Sequence, residues 1–214
     1  TKMNRFHHRV TQSLTEFKFL VHRMFKRKIF SVRLCVTLWC PPKNGIIMNI
    51  TIRPTRLEEL GQVMPFYERA RRFMATNGNA NQWINGYPSP DDIRQDIENG
   101  SSYVFVNENQ ELEGCFAFIR GEDPNYKVIK DGAWLNDAPY GVIHRIASGG
   151  RVKGLMDLCL EWCSSHCPNL RVDTHRDNKV LQNILLKNGF TYCGIIYVKN
   201  GTERLAYQRT AVTR

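Results

Sequence analysis

A chain of 214 residues with 42% hydrophobic content can bury a real core in one domain of ordinary size, which excludes a disordered or low-complexity protein. Its formal net charge of +10 invites a nucleic-acid partner, yet ten Lys or Arg and one acid fall in residues 1–47, leaving 20 bases and 19 acids across residues 48–214. That near-neutral body argues against nucleic acid, and seven cysteines without paired spacing argue against a disulfide framework and for a reducing cytoplasm.

Residues 1–47 read as a basic N-terminal extension, disordered or non-native, and Met48 as the natural start of a domain running from 48 to 214. Two rival readings are a functional basic arm and a targeting segment over MFKRKIFSVRLCVTLWC. The second is weakened by Arg33 inside the apolar run and by the lack of a small-residue cleavage site. The run is also too short to span a bilayer, and no membrane partner is expected.

From Met48 the elements follow in order. MNITIRPT is a strand; Thr55 with Glu58 is expected to form a capping box for a helix whose Leu57, Leu60, Met64, Tyr67, Ala70 and Met74 share a face. After the loop NGNANQWINGYP, Ser89 caps a second helix with Pro90 at its first position, and Gly100 ends it. SYVFVN and ELEGCFAFIRG form an antiparallel hairpin, and EDPNYKVIKDGAWLNDAPYG is a long connection to the strand GVIHRIAS.

Next comes SGGRVKG, leading into a helix with Leu155, Leu158, Cys159, Trp162 and Cys163 on one stripe. Cys159, Cys163 and Cys167 recur every four residues beside His166, but no CxxC or Cys/His knuckle accompanies them, so they read as core rather than as metal ligands. NLRVDTH is a strand, NKVLQNILLKNG a short helix ended by Gly189, and TYCGIIYV and ERLAYQRT a closing hairpin turned at Asn200–Gly201. The fold class is α+β: a mixed, mostly antiparallel sheet of six to seven strands flanked by about four helices.

The glycine-rich elbow carries the chemistry. A helix starting just after such a turn directs unpaired N–H groups and the positive dipole end outward, which suits a phosphate or pyrophosphate. No GK[ST] follows, so it is not a P-loop. A dinucleotide turn built on Gly149, Gly154 and Asp173 is a rival, but Arg151 stands where the middle glycine belongs. A purely structural turn is the third reading.

Residues 48–210 resemble the GNAT superfamily of N-acetyltransferases. The family loop Q/R-x-x-G-x-G/A is similar to Arg151-Val152-Lys153-Gly154-Leu155-Met156, with Met156 in place of the final small residue; the family's Asn-led helix ending in Gly-Phe is similar to Asn178 through Gly189-Phe190. The resemblance implies acetyl transfer from acetyl-CoA to a primary amine of a small molecule or peptide, by a monomer or homodimer. It implies that Ile146 and Ala147 receive pantetheine, that residues Arg151 to Met156 hold the pyrophosphate, and that Asn178 lies nearby. Leu185 stands where many relatives carry a tyrosine acid; either another donor such as Tyr192 takes its place, or none is required, because a thiol of pKa about 8.5 is a tolerable leaving group.

His144 is the candidate base, since an alkyl amine of pKa about 10.4 must lose a proton before it attacks. Strand alternation would set it on the face opposite Arg145. A hydrogen-bonded structural histidine is the competing reading. Trp83, Tyr87, Tyr126, Trp134 and Tyr140 are candidates to wall the acceptor pocket, against the alternative of ordinary loop anchors. With Leu185 and Met156 both departing from the pattern, an inactive acyl-CoA-binding or scaffold domain is the alternative to an enzyme.

Overall fold

The computed structural model describes residues 49–210; the basic extension and the expected start at Met48 lie outside them. Seven strands form one sheet in the order β1-β2-β3-β4-β5-β7-β6. They are β1 (Thr51–Pro54), β2 (Ser102–Val106), β3 (Leu112–Arg120), β4 (Gly141–Ser148), β5 (Leu170–Thr174), β6 (Thr191–Tyr197) and β7 (Glu203–Arg209). All neighbours pair antiparallel except β4 and β5. The helices are α1 (Leu60–Thr76), α2 (Pro90–Glu98), α3 (Leu155–His166) and α4 (Lys179–Lys187). The expected α+β architecture is therefore present.

Both faces of the sheet carry apolar clusters, and strand alternation sends the residues of β2 to two of the three. Val104 and Val106 of β2 pack with Val63, Tyr67 and Ile93 of α1 and α2. Phe105, between them, turns to the other face and joins Phe116, Leu155, Leu160, Val172 and Leu185 beneath α3 and α4. Cys159 and Cys163 are fully buried in that second core, as their place on the apolar stripe predicts. Among the described residues no helix is long and apolar enough to cross a membrane.

The local signals mostly hold. The Ser89 hydroxyl accepts from the Asp92 amide and Pro90 opens α2, while Gly100 takes φ +68° beyond its end. The expected Thr55–Glu58 box is corrected. The Thr55 hydroxyl is buried against Ser102 Oγ at 2.8 Å, and Glu59, one residue later, accepts from the Arg56 amide at 2.8 Å. A short 3₁₀ turn, Leu57–Glu59, then leads into α1. Glu59 is held there by two contacts to the Arg53 guanidinium, at 2.6 and 2.9 Å.

Two departures from a regular sheet position the site. First, β4 and β5 pair only through Gly141 with Leu170 and Val142 with Arg171, after which the strands part. Second, β4 bulges. Cys115 pairs with Ala147 and Ala117 with His144, so Phe116 alone stands opposite Arg145 and Ile146. Arg145 takes φ +52° to fit the extra residue.

Candidate active site

The parting of β4 from β5 opens a cleft of about 1090 Å³. One wall is β4 itself, from Ile143 to Ser148; the other is Val172 and Asp173 of β5 with Asn178, Val180, Leu181 and Ile184 of α4. Because β5 has moved away, the main chain of β4 beyond Val142 has no strand on this side. It can accept an extended chain as an added strand would be accepted.

The elbow lies at the end of that wall. Gly150 and Gly154 take φ +85° and +79°, conformations that L side chains rarely adopt, and Gly154 is the residue from which α3 starts. Among the described residues, the amides of 151 to 157 find no protein acceptor; the first helical bond runs from the Leu158 amide to Gly154. Seven free donors at the positive end of a helix fit an anion of the size of a pyrophosphate. A Cβ placed on Gly154 would meet open space rather than protein. The tight turn, not crowding, requires glycine there.

The side chains of the elbow divide. Val152, Leu155 and Met156 line the cleft together with Gly150 and Gly154. Arg151 does not: its Nε donates to Glu113 at 3.1 Å and its Nη2 to the Leu112 carbonyl at 3.2 Å. Lys153 is exposed and also outside the lining. Ile146 and Ala147 lie on β4's wall of the cleft. Asn178 faces them, its Oδ1 capping α4 through the Leu181 amide and its Nδ2 donating to Gln82 Oε1 at 2.9 Å.

His144 sits between two carboxylates. Its Nε2 is 2.9 Å from Asp123 Oδ2, and its Nδ1 is 3.6 Å from Asp173 Oδ1. Asp123 begins the 3₁₀ turn Pro124–Tyr126 and accepts from both nitrogens of Asn125. Burial alone would raise its carboxyl pKa, but the bond to His144, that ring's charge and the Asn125 donors outweigh burial and hold it below the usual value. Asp173 in turn accepts from the Tyr126 hydroxyl at 2.7 Å. Sequence reasoning missed Asp123, whose Asp-Pro-Asn triplet marks a turn but not its partner, and named Asp173 only in the rival dinucleotide reading, not beside His144.

The bulge corrects one expectation. Alternation would put Arg145 opposite His144, but the extra residue brings both side chains to the cleft. Arg145 is held by two bonds to Asp96, at 2.6 and 2.8 Å, and by the Tyr87 hydroxyl at 2.7 Å. Burial raises the Asp96 carboxyl, and the arginine only partly offsets that.

The five aromatic candidates also divide. Trp83 and Tyr87 line the cleft, their rings edge to face 6.3 Å apart. Tyr126, Trp134 and Tyr140 lie outside its lining, where Tyr126 stacks between the other two at 5.4 and 6.4 Å. The Arg171 guanidinium covers Trp134 and Tyr140 at 4.0 and 3.8 Å. Tyr192 is half exposed on β6, edge-on to Tyr207 and outside the cleft, while Leu185 is fully buried in the core. No group of three or more His, Cys, Asp or Glu among the described residues could hold a metal ion.

Comparison with solved structures finds the same fold in known proteins. The chain is 36% identical to an acetyltransferase of the GNAT family from Streptococcus agalactiae, over 77% of this chain and 97% of that one, with a TM-score of 0.69. A GNAT-family acetyltransferase from Listeria monocytogenes is 20% identical over 75% and 94% of the two chains, TM-score 0.58, and so shares the fold. YjaB from Escherichia coli, solved in its apo form, shares it at 17% identity over 76% and 99%, TM-score 0.54. No protein-family model and no curated protein matches the chain.

Proposed function

We propose, for a chain that belongs to the GNAT family of acetyltransferases, that its cleft transfers an acetyl group from acetyl-CoA to a primary amine of a small molecule or peptide. The observation that carries this reading is the continuity of two free main-chain surfaces: the unpartnered stretch of β4 and the seven unpaired amides at the elbow beside it. Together they suit one long ligand with an amide-bearing arm and a diphosphate. Ile146 and Ala147 would hold the arm, and the backbone from Arg151 to Met156, with Asn178 across the cleft, the end bearing the phosphates. When bound, acetyl-CoA supplies an acyl group activated as a thioester.

The chain's own part in the chemistry is to move a proton. In the tautomer that donates from Nε2 to Asp123, Nδ1 of His144 is free to accept a proton from the incoming ammonium, directly or through water. Asp173, 3.6 Å from that atom, stabilises the charge the ring then carries. Leu185 has no proton to give, and Tyr192 lies outside the cleft, so no donor is assigned on the leaving side.

The test is release of free thiol from acetyl-CoA across a panel of small amines and peptide N-termini. Amine-dependent release that falls about a hundredfold in His144→Gln, with CoA affinity retained, is the expected result. CoA binding without turnover on any amine would leave the inactive acyl-CoA-binding domain in its place.

A further inference from the structure

The elbow has the geometry of a diphosphate site, yet the arginine that the sequence offers for it is committed elsewhere. Arg151 is bound to a buried glutamate, Glu113, and to a main-chain carbonyl, and it does not line the cleft. Lys153, the loop's other cation, is exposed and lies outside the lining too, so neither basic side chain of the loop lines the cleft beside the seven unpaired amides.

A cation is present from another element. Arg69 projects from the exposed side of α1, more than 80 residues before the elbow, and lines the cleft next to Gly150. Its guanidinium lies directly over that glycine: a Cβ on Gly150 would overlap Nη2, Cζ and Nε. Gly150 is thus kept bare twice, by its φ of +85° and by the guanidinium above it. Among the described residues Arg69 makes no hydrogen bond or ion pair, unlike Arg145, Arg151 and Arg204, which all have carboxylates nearby. A planar fork of unpaired donors beside a row of unpaired amides is the arrangement that grips a diphosphate.

We infer that Arg69, rather than Arg151, is the cation that binds the pyrophosphate of the cofactor, and that Gly150 is a glycine so that this side chain can lie across the turn. The inference rests on the proposed use of CoA. Arg151 then has a different task, to fasten the elbow to β3 through Glu113.

Calorimetry on the full chain tests it with three probes: CoA, dephospho-CoA and pantetheine, the last followed by ligand-observed NMR. Arg69→Ala should weaken CoA and dephospho-CoA alike, by tenfold or more, and flatten the salt dependence of both. Pantetheine, which has no phosphate, should bind it as it binds the wild type. Because Arg69 is exposed, the variant should melt near the wild-type temperature. Gly150→Ala, which pushes the guanidinium aside, should reproduce the loss. An Arg69→Ala affinity for CoA within twofold of wild type would overturn the assignment. So would an equal loss with pantetheine, or a loss confined to the ligand carrying the 3′-phosphate. No CoA binding by the wild-type chain would overturn both this inference and the proposed function.

Discussion

Asp123, at the start of the long connection, and His144, on the strand that follows it, lie 21 residues apart, and the fold brings Oδ2 and Nε2 to 2.9 Å. The contact fixes both the plane of the imidazole and the nitrogen left free to face the cleft. Asp123 is thereby a positioning residue for the proposed base. Asp123→Asn should lower kcat by about tenfold or more while leaving CoA affinity unchanged, as steady-state kinetics and calorimetry would show. Equal losses in kcat and in cofactor affinity would mean that the aspartate merely holds the fold.

The same carboxylate should appear in the acid stability of the protein. Its native pKa lies below the ordinary value of about 3.9, so the stability it contributes is complete above that value and is lost as pH falls through the lower native one. The difference in melting temperature between wild type and Asp123→Asn should shrink as pH falls below about 4. A gap that widens below that pH would reverse the sign of the argument.

At Gly154 strain and crowding can be separated, because an added Cβ meets no protein atom while φ is +79°. Gly154→Ala should cost about 1 kcal/mol of stability from the backbone alone. Its effect on CoA affinity should be larger, since the methyl projects where the ligand approaches the free amides. Denaturant unfolding and calorimetry on one sample compare the two.

Breaking the pair beneath the bulge should be costly. Arg145→Ala leaves Asp96 buried without its cation, a loss of roughly 3–5 kcal/mol at neutral pH. Burial already raises the Asp96 carboxyl, and without the arginine that effect is unopposed by its nearest cation. The penalty should therefore fall as pH drops and Asp96 takes a proton. A denaturant series at pH 7 and pH 5 reads this directly; a penalty independent of pH would point to lost packing alone.

What the sequence could show was local. The strands, the closing hairpin, the Ser89 cap and the glycine elbow all follow from neighbours a few residues apart, and they stand where expected. What it could not show was set by distant partners. The Thr55 hydroxyl is taken by Ser102, 47 residues away, so the cap shifts to Glu59. Glu113, 38 residues before Arg151, turns that side chain from the cleft, and Asp96, 49 residues before Arg145, anchors the bulge that breaks alternation after His144. Tyr126, Trp134 and Tyr140 are aromatic residues in a long loop, as an acceptor pocket would require, but Arg171 on β5 gathers Trp134 and Tyr140 under its guanidinium, with Tyr126 stacked on both.

The short seam between β4 and β5 gives the middle of the sheet the character of its border. β4 is fourth of seven strands, a position where amide protons are ordinarily locked against solvent, yet only Gly141 and Val142 pair with β5. Hydrogen exchange should find fast-exchanging amides at the centre of the molecule, on the side of β4 facing the cleft, flanked by slow ones in β3 and β7. A bare strand border ordinarily invites other chains to pair with it and aggregate. Here α4 and the turn at Val198 to Asn200 help line the gap, so the open border of β4 lies inside a cleft in mid-sheet rather than at the rim of the sheet.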